Sequence, residues 1–454
     1  MKSLRFYLAM VVGRASFVAL RILGRKATHM PGNIALKIYP SILKEFDLGK
    51  KFVAVMGTNG KTTTANLIVD FLKAQNISLV ANQFGSNLEA GLVSCLLQSN
   101  TMNGKSKVDM SVFEVDERAS RLIFPHIKPD VIVLTNLFRD SYERNAHVEF
   151  IGQILTNSIP QESLLILNAD DLFSSQLFEK NEKKFFSLQP LMGEEGITDS
   201  IIQDVIYCPQ CGANLTFDFK RYHHIGRAHC EHCGFESPKG DFVVSQTSED
   251  SLQLSENGET YHYLENNDSI TNLYNELAAI STLRALGFSH EVLADFFNHL
   301  KIVESRHGEV MAGNKRVINI LAKDQNPVAN SRVYDYIRQQ KHWGSVTIVL
   351  MNEIFSHDPG YKVENMAWIY DADFEYLNTD QIEQIYCMGN RNLEVKSRLL
   401  LAGVNEDKIH LLAPSKQLNI PVETDSVVLL YSTKNIDTME SFKAQLIKEL
   451  SHEN

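Results

Sequence analysis

The sequence lacks an uninterrupted apolar run. Its first apolar stretch, Leu4 to Leu23, is broken by Arg5, Arg14 and Arg21, whereas a membrane-spanning helix needs about 20 mostly apolar residues. No secretory signal is evident, so the chain is expected in the cytoplasm. A surplus of positive charge is also missing: 44 Lys and Arg face 55 Asp and Glu, a formal net charge of −11. That balance gives no general electrostatic reason to bind nucleic acid. Cysteine is scarce, with six in 454 residues, and four of them sit in two tight pairs. In an intracellular chain that pattern points to metal binding and not to disulfides. Internal repeats and long low-complexity segments are absent. With 44% hydrophobic and 22% charged residues, large-scale disorder is excluded as well.

What is there is a chain long enough for two or three domains, because a single core stops growing at roughly 250–300 residues. Residues 52–56 read as a buried strand, Gly57 to Gly60 as a turn, and 62–74 as a helix. Apolar runs at 109–115, 131–135 and 164–167 read as further strands with helices between them, which predicts a mostly parallel sheet covered on both faces. The stretch from about 200 to 245 is rich in Cys, His and Gly and interrupts this alternation as an inserted module. Helices near 272–286 and 289–300 follow. The pattern breaks around Glu304 to Gly308. Beyond it, strands at 316–321, 346–351, 384–388 and 426–431 predict a second α/β domain. The expected division is an N-terminal helical segment over 1–45, a central domain over 46–303 and a C-terminal α/β domain over 304–454. The first helix has a basic character from Lys2, Arg5, Arg14, Arg21, Arg25 and Lys26. It is expected either to pack on the main body or to make peripheral contact with an anionic membrane surface.

Strand, glycine turn, lysine and a hydroxyl residue opening a helix make a phosphate cradle, because backbone N–H groups and the helix N-terminus attract anions. Lys61 can reach the β- and γ-phosphates of ATP and the Thr62 hydroxyl can bind Mg²⁺. The general glycine-lysine pattern is incomplete, since its first glycine would fall at Val55. A chance glycine turn before a helix is the alternative.

Cys208-Pro209-Gln210-Cys211 and Cys230-Glu231-His232-Cys233 are two C-x-x-C knuckles that supply four thiolates for a structural Zn²⁺. Four protein ligands leave the metal no open position. A redox role would need only one such pair. His223, His224, His229 and His232 are expected at the surface, and Cys95 and Cys387 as buried small hydrophobes.

The string Gly57-Thr58-Asn59-Gly60-Lys61-Thr62-Thr63-Thr64 resembles the ATP loop of the Mur ligase family, whose members join an amine to a carboxylate. Glu114, in Val112-Phe113-Glu114-Val115-Asp116-Glu117, falls where that family has a Mg²⁺-binding glutamate. Thr135-Asn136, Asn168-Ala169-Asp170-Asp171, and Asn272 and Asn275 with Ala278 and Ala279 also match the family in order, the two asparagines near its adenine site. Within the family, the ribbon of cysteines points to the MurT branch, the ligase-like subunits of lipid II isoglutaminyl synthase. Gly24-Arg25-Lys26, Pro31-Gly32-Asn33-Ile34-Ala35, Asn136-Leu137-Phe138-Arg139-Asp140 and Trp368-Ile369-Tyr370-Asp371-Ala372-Asp373-Phe374-Glu375 resemble that branch too.

The resemblance implies a Mur ligase-type P-loop ATPase domain with an inserted four-cysteine zinc ribbon, plus a C-terminal α/β domain. It implies ATP, Mg²⁺ and Zn²⁺, a lipid II substrate, and a GatD-like glutaminase partner that supplies ammonia. The implied reaction converts the α-carboxyl of D-glutamate to an amide through an acyl phosphate. A Mur-like ligase for another carboxylate, and a nucleotide-binding scaffold subunit, are the alternatives. Several stretches depart from the branch. An aspartate thought to complete the partner's Cys-His triad falls at Asn365 when counted back from Trp368, or at Asp358 if the loop holds an insertion. Ser305-Arg306-His307-Gly308-Glu309 matches the motif that opens the last domain only in part, with Arg306 its nucleotide-binding candidate. Ser141 to Asn145 and Ala322 to Pro327 also differ.

Overall fold

Helix α1 (Leu4–Ile22) opens the chain, with the Ser3 hydroxyl accepting from the Phe6 N–H at its cap. Helix α2 (Met30–Ile38) carries Pro31 in its first turn, where a missing N–H costs nothing. The computed structural model describes residues 2–25, 27–83, 86–139, 147–192, 194, 196–248, 251–264, 269–300, 307–322, 326–351, 366–389, 391–412, 420–432 and 435–452. The candidates Arg306, Asp358 and Asn365 lie outside the described residues.

The order continues with β1 (Lys51–Met56), α3 (Lys61–Ala74), β2 (Leu79–Ala81), α4 (Glu89–Ser99), β3 (Met110–Glu114), α5 (Ser120–Ile123), β4 (Val131–Leu134), α6 (Val148–Ser158), β5 (Leu164–Asn168) and β6 (Lys183–Leu188). A separate two-stranded ribbon, β7 (Thr216–Tyr222) and β8 (Ile225–His229), follows. Then come β9 (Phe242–Ser248), β10 (Ser251–Glu256), β11 (Glu259–Leu264), α7 (Ile270–Ala285) and α8 (His290–Phe297). The main sheet runs β11-β10-β9-β6-β5-β4-β1-β3-β2. It is parallel from β2 to β9 and ends in an antiparallel meander.

Strand β1 lies between β3 and β4, and the chain builds the sheet outward from it in both directions. This is the topological switch point, where open α/β sheets bind ligands at the carboxyl ends of their strands. Residues 52–56 of β1 are all buried, as a strand covered on both faces requires. One cluster on this sheet joins Ala54, Met56, Phe113, Ile132, Leu134 and Leu167 to Phe6, Met10 and Ala35. The N-terminal helices therefore belong to this core.

The second unit contains β12 (His307–Ala312), β13 (Lys315–Leu321), α9 (Pro327–Gln339), β14 (Val346–Met351), β15 (Ile382–Met388), α10 (Asn392–Leu401), β16 (Ile409–Leu412), β17 (Ser426–Tyr431) and α11 (Ile436–His452). Its sheet order is β12-β13-β17-β14-β15-β16, with only β12 antiparallel. Separate apolar clusters cover the two faces, one around Trp343 and Trp368, the other around Phe442 and Leu446. Contacts divide the chain into Met1–Phe138, His147–Asp199 and Gln203–Ile302 on one side, and Arg139–Ala146, Ser200–Ile202 and Val303–Asn454 on the other. Among the described residues, no helix is long and apolar enough to cross a membrane.

The crossing of α2 on α4 leaves no room at Gly32. A Cβ there would stand 1.9 Å from the Ala90 carbonyl oxygen, and the Gly32 N–H donates to Ser94 Oγ at 2.8 Å. Gly32→Ala is expected to cost about 1–3 kcal/mol, the usual range for overpacking. Urea unfolding of the first unit measures it, and an unshifted midpoint contradicts the close approach.

Candidate functional site

The loop Gly57-Thr58-Asn59-Gly60 leaves the carboxyl end of β1 and enters α3. Val55, where the general pattern has its first glycine, is a buried residue inside β1, so the turn begins at Gly57. Gly57 has φ +126° and a Cβ would meet Thr135 Oγ1 at 2.1 Å; Gly60 has φ +83° and a Cβ would meet Asn275 Oδ1 at 2.0 Å. Both positions combine a left-handed backbone with a close neighbour, which only glycine accommodates.

The end of β4 holds the loop. Thr58 N–H donates to the Asn136 carbonyl at 2.9 Å and Asn59 N–H to Asn136 Oδ1 at 2.9 Å. Thr135 Oγ1 and Asn136 Nδ2 both donate to the Asn59 carbonyl, at 2.6 and 3.1 Å. Thr58 Oγ1 donates to the Phe138 carbonyl and accepts from the Phe138 N–H. No side chain caps α3 at Gly60. The first turn of an α-helix has N–H groups without intrahelical partners, and here they face a preformed turn suited to an anion.

Lys61 is folded over this turn. Its ammonium donates to the Gly57 carbonyl and pairs with Glu117 Oε1 at 2.9 Å. Burial alone would lower its pKa. Glu117, then Glu114 and Asp116, outweigh that and raise it above the ordinary lysine value, so Lys61 stays charged. Glu117 is buried and also accepts from the Gly57 N–H at 3.1 Å. Sequence reasoning missed this residue as a site candidate. The available signal was a second glutamate three residues after Glu114, with an aspartate between them.

Glu114 ends β3. Its Oε2 accepts from Thr62 Oγ1 at 2.7 Å, and its Oε1 from Asn87 Nδ2 at 3.2 Å. Asn82 fixes the backbone of Glu114 from both sides. Neighbouring oxygens in the octahedral shell of Mg²⁺ stand about 2.9 Å apart. The Thr62–Glu114 pair fits that spacing, with hard oxygen donors on both sides. Asn275 is buried beside Gly60. Asn272 lies three residues earlier on α7, half-buried. The structure thus gathers Gly57 to Thr63, Glu114 and Asn275 around the start of α3.

The four cysteines converge. Cys208 Sγ stands 3.5 Å from Cys233 Sγ and Cys211 Sγ 3.5 Å from Cys230 Sγ, with all four sulfurs within 4.8 Å of one another. Tetrahedral zinc at about 2.3 Å from each sulfur separates them by about 3.8 Å, so the set fits Zn²⁺. The two knuckles repeat each other. Gly212 N–H donates to the Cys208 carbonyl and Gly234 N–H to the Cys230 carbonyl, with φ of +74° and +76° at the two glycines. Burial opposes ionisation of Cys208, but the N–H groups of Cys211 and Gln210 and the neighbouring thiols bring it down to about 7. Cys233 has the Phe235 N–H in its favour, yet burial and the other three sulfurs push it up to about 12. Four sulfurs this close cannot all become thiolates without a cation between them.

His223 and His224 correct the sequence expectation. They are buried, at 2% and 1% exposure, because the tip of the β7–β8 hairpin inserts into the first unit. His224 Nε2 stands 3.0 Å from Asp171 Oδ1, and His223 Nδ1 2.8 Å from Asp204 Oδ2. Asp171 also accepts from the Leu137 N–H at 2.8 Å, and the rings of His224 and Phe138 lie 4.7 Å apart. Next to them, Arg221 makes a two-pronged pair with Glu194 and donates to Tyr274 OH. Tyr274 OH in turn donates to Asp170 Oδ2. The Asn168 to Asp171 string is therefore the socket for the hairpin. In the second unit Asp373, of the tryptophan string, accepts from Ser200 Oγ and the Ile201 N–H.

Residues 55–228 match the family described as Mur ligase middle domain. A pseudomurein peptide ligase type C from Methanothermus fervidus superposes with a TM-score of 0.63 at 17% identity, covering 92% of this chain and 83% of that one. MurF ligase from Thermotoga maritima, solved in complex with ADP, gives 0.57 at 14% identity over 93% and 85%. Fold and loop together define a Mur-type ligase. Residues 323–434 match the family described as MurT ligase C-terminal. The MurT subunit of lipid II isoglutaminyl synthase from Staphylococcus aureus (strain COL) is 31% identical over 88% of this chain and 89% of its own length. That from Streptococcus pneumoniae (strain ATCC BAA-255 / R6) is 27% identical over 98% and 97%. The chain belongs to the MurT family.

Two outcomes test this geometry. Purified protein should carry about one zinc per chain by elemental analysis, and Cys208→Ser with Cys230→Ser should lose it and lower the melting temperature; a metal-free protein of equal stability contradicts the site. The second concerns pH. Burial would lower the His224 pKa, but Asp171 and Asp204 raise it to about 9. Such a group contributes stability fully below its unfolded pKa of about 6.5 and loses it as pH rises through about 9. The pKa values of Asp171 and Asp204 are lowered, so their contribution is lost only in acid. Wild-type stability should therefore fall between about pH 6.5 and 9.5, by roughly 3 kcal/mol, and His224→Gln should flatten that slope. Equal slopes contradict the buried ion pair.

Proposed function

We propose that this chain is the ATP-using ligase subunit of a glutamine-dependent amidotransferase, and that it converts the D-glutamate α-carboxyl of lipid II to an amide. The observation that carries the reading is the Thr62–Glu114 oxygen pair beside the uncapped N-terminus of α3, in a chain whose full-length relatives are lipid II isoglutaminyl synthase subunits. A carboxylate is a poor electrophile. Transfer of the γ-phosphoryl group of ATP gives an acyl phosphate and ADP, and attack by ammonia then forms the C–N bond and releases phosphate.

Magnesium, when bound, would offset the negative charge of the phosphates during transfer. The chain's own residues supply position and charge. Gly57 to Gly60 are fixed by Thr135, Asn136 and Glu117, and the open N–H groups at the start of α3 would face the phosphates. Lys61 stays protonated and can exchange Glu117 for a phosphate oxygen. Glu114 and Thr62 would hold the metal, and Asn272 and Asn275 would border the adenine. Arg306 is a further nucleotide contact in this reading. Phosphoryl transfer asks mainly for such positioning and electrostatics. Ammonia would come from a GatD-like glutaminase subunit, with Asp358 or Asn365 orienting that subunit's histidine.

Purified chain given MgATP, lipid II and ammonium chloride should release phosphate and yield amidated lipid II by mass spectrometry. Lys61→Ala should lower kcat/KM on the order of 10³-fold. Turnover unaffected by Lys61→Ala, or ATP hydrolysis without amidation, sinks the reading. With glutamine as the nitrogen source, product should require the glutaminase. Asp358→Ala or Asn365→Ala should then impair the glutamine-dependent rate and spare the ammonium-dependent one.

A further inference from the structure

Helix α1 is apolar on two opposite faces. Phe6, Ala9, Met10, Gly13 and Leu20 are buried and pack in the first unit's core against α2 and α4. The other face is open. Leu4, Leu8, Val11, Val18 and Ile22 are exposed, at 85%, 52%, 55%, 55% and 80%, and Ala15 between them is exposed as well. Their spacing of four and three residues sets them in one straight stripe, diametrically opposite the packed face at 3.6 residues per turn. A helix apolar all round belongs in a core or in lipid, and here protein covers only half of it.

The charge around the stripe names its occupant. The first 44 residues hold eight Lys and Arg and no Asp or Glu. The other 410 hold 36 Lys and Arg against 55 Asp and Glu, a balance of −19. On the helical wheel Arg5 flanks one side of the stripe and Arg21 the other. Both are exposed, as is Arg25 just beyond the helix. Arg14, on the same flank as Arg21, instead turns inward to the carbonyls of Leu97 and Asn100, which fixes the helix to the body. An apolar stripe with basic margins is the arrangement of helices that lie in the plane of an anionic bilayer surface.

We propose that α1 docks this chain onto an anionic membrane surface, with the Leu4–Ile22 stripe among the acyl chains and Arg5, Arg21 and Arg25 at the headgroups. This deepens the proposed function, whose substrate is a lipid, but it is measured without that substrate or ATP. A failed amidation assay and a failed docking assay therefore stay distinct.

The test is co-sedimentation of the full chain, alone and with its glutaminase subunit, with vesicles of phosphatidylcholine containing phosphatidylglycerol. Binding is expected to the anionic vesicles and to be lost on pure phosphatidylcholine. It should fall on the order of tenfold or more at about 1 M salt, where charges are screened beyond about 3 Å. Arg5→Gln/Arg21→Gln/Arg25→Gln should weaken it similarly, as should Leu8→Gln/Val11→Gln/Val18→Gln. These side chains are exposed, so thermal melting should not change. Four results overturn the proposal. Wild type fails to bind, or the stripe variant binds as wild type does. Adding the glutaminase abolishes vesicle binding, which assigns the stripe to that subunit. Sedimentation velocity shows a dimer that the stripe variant dissolves, with no vesicle binding, which assigns it to a second copy.

Discussion

Everything at the candidate site depends on holding four residues still. Gly57 and Gly60, which bound this turn, have no side chains to pack, and both occupy left-handed backbone. Such a turn is held from outside or not at all. The holding comes from Thr135 and Asn136, which occupy the loop's N–H and C=O groups with backbone and side-chain partners at once. Once those groups are used, the N–H groups left over point to the start of α3. The place where an anion binds is thus set by which hydrogen bonds the neighbouring strand has already taken.

The same strand end carries the constraint further. Leu137 and Phe138 follow Asn136, and they meet Asp171 and the two buried histidines of the hairpin tip. An inserted ribbon would ordinarily tolerate displacement, since few of its residues reach a core. Here the tip places His224 Nε2 3.0 Å from the buried Asp171 carboxylate. Burying a charge is costly unless its partner is in place, so the hairpin and the Asn168 to Asp171 string fix one another. The cysteine cluster closes the opposite end of the same hairpin, beginning with Cys230 directly after β8. A metal there would hold the strands in register while the histidines hold the tip.

Much of this was legible in the sequence. Strands with both faces covered are continuous apolar runs, and those at 52–56, 131–135, 346–351 and 426–431 stand out from their surroundings. The phosphate loop and the cysteine knuckles are contiguous strings whose chemistry is local. Less legible were residues whose roles depend on distant partners. Glu117 looks like one more acid in an acidic stretch until Lys61 is folded toward it. His223 and His224 look like surface residues among polar neighbours because Asp171 and Asp204 lie far away in sequence. Helix α1 hides its open face for another reason: it is apolar on both sides, so periodicity alone does not separate the packed stripe from the uncovered one.

That helix also gives sense to where the charge lies. An acidic body is repelled by an anionic bilayer at distances within the Debye length, about 8 Å at physiological ionic strength. A basic margin confined to one end reverses the sign of that interaction locally without changing the net charge. The apolar stripe alone would stick to any hydrophobic surface, and the arginines alone would bind any polyanion weakly. Together they restrict the surface to one that is both apolar inside and anionic outside. Because Arg14 and the packed face tie the helix to the first unit's core, a molecule docked this way keeps its phosphate-loop unit beside the membrane and does not trail it on a tether.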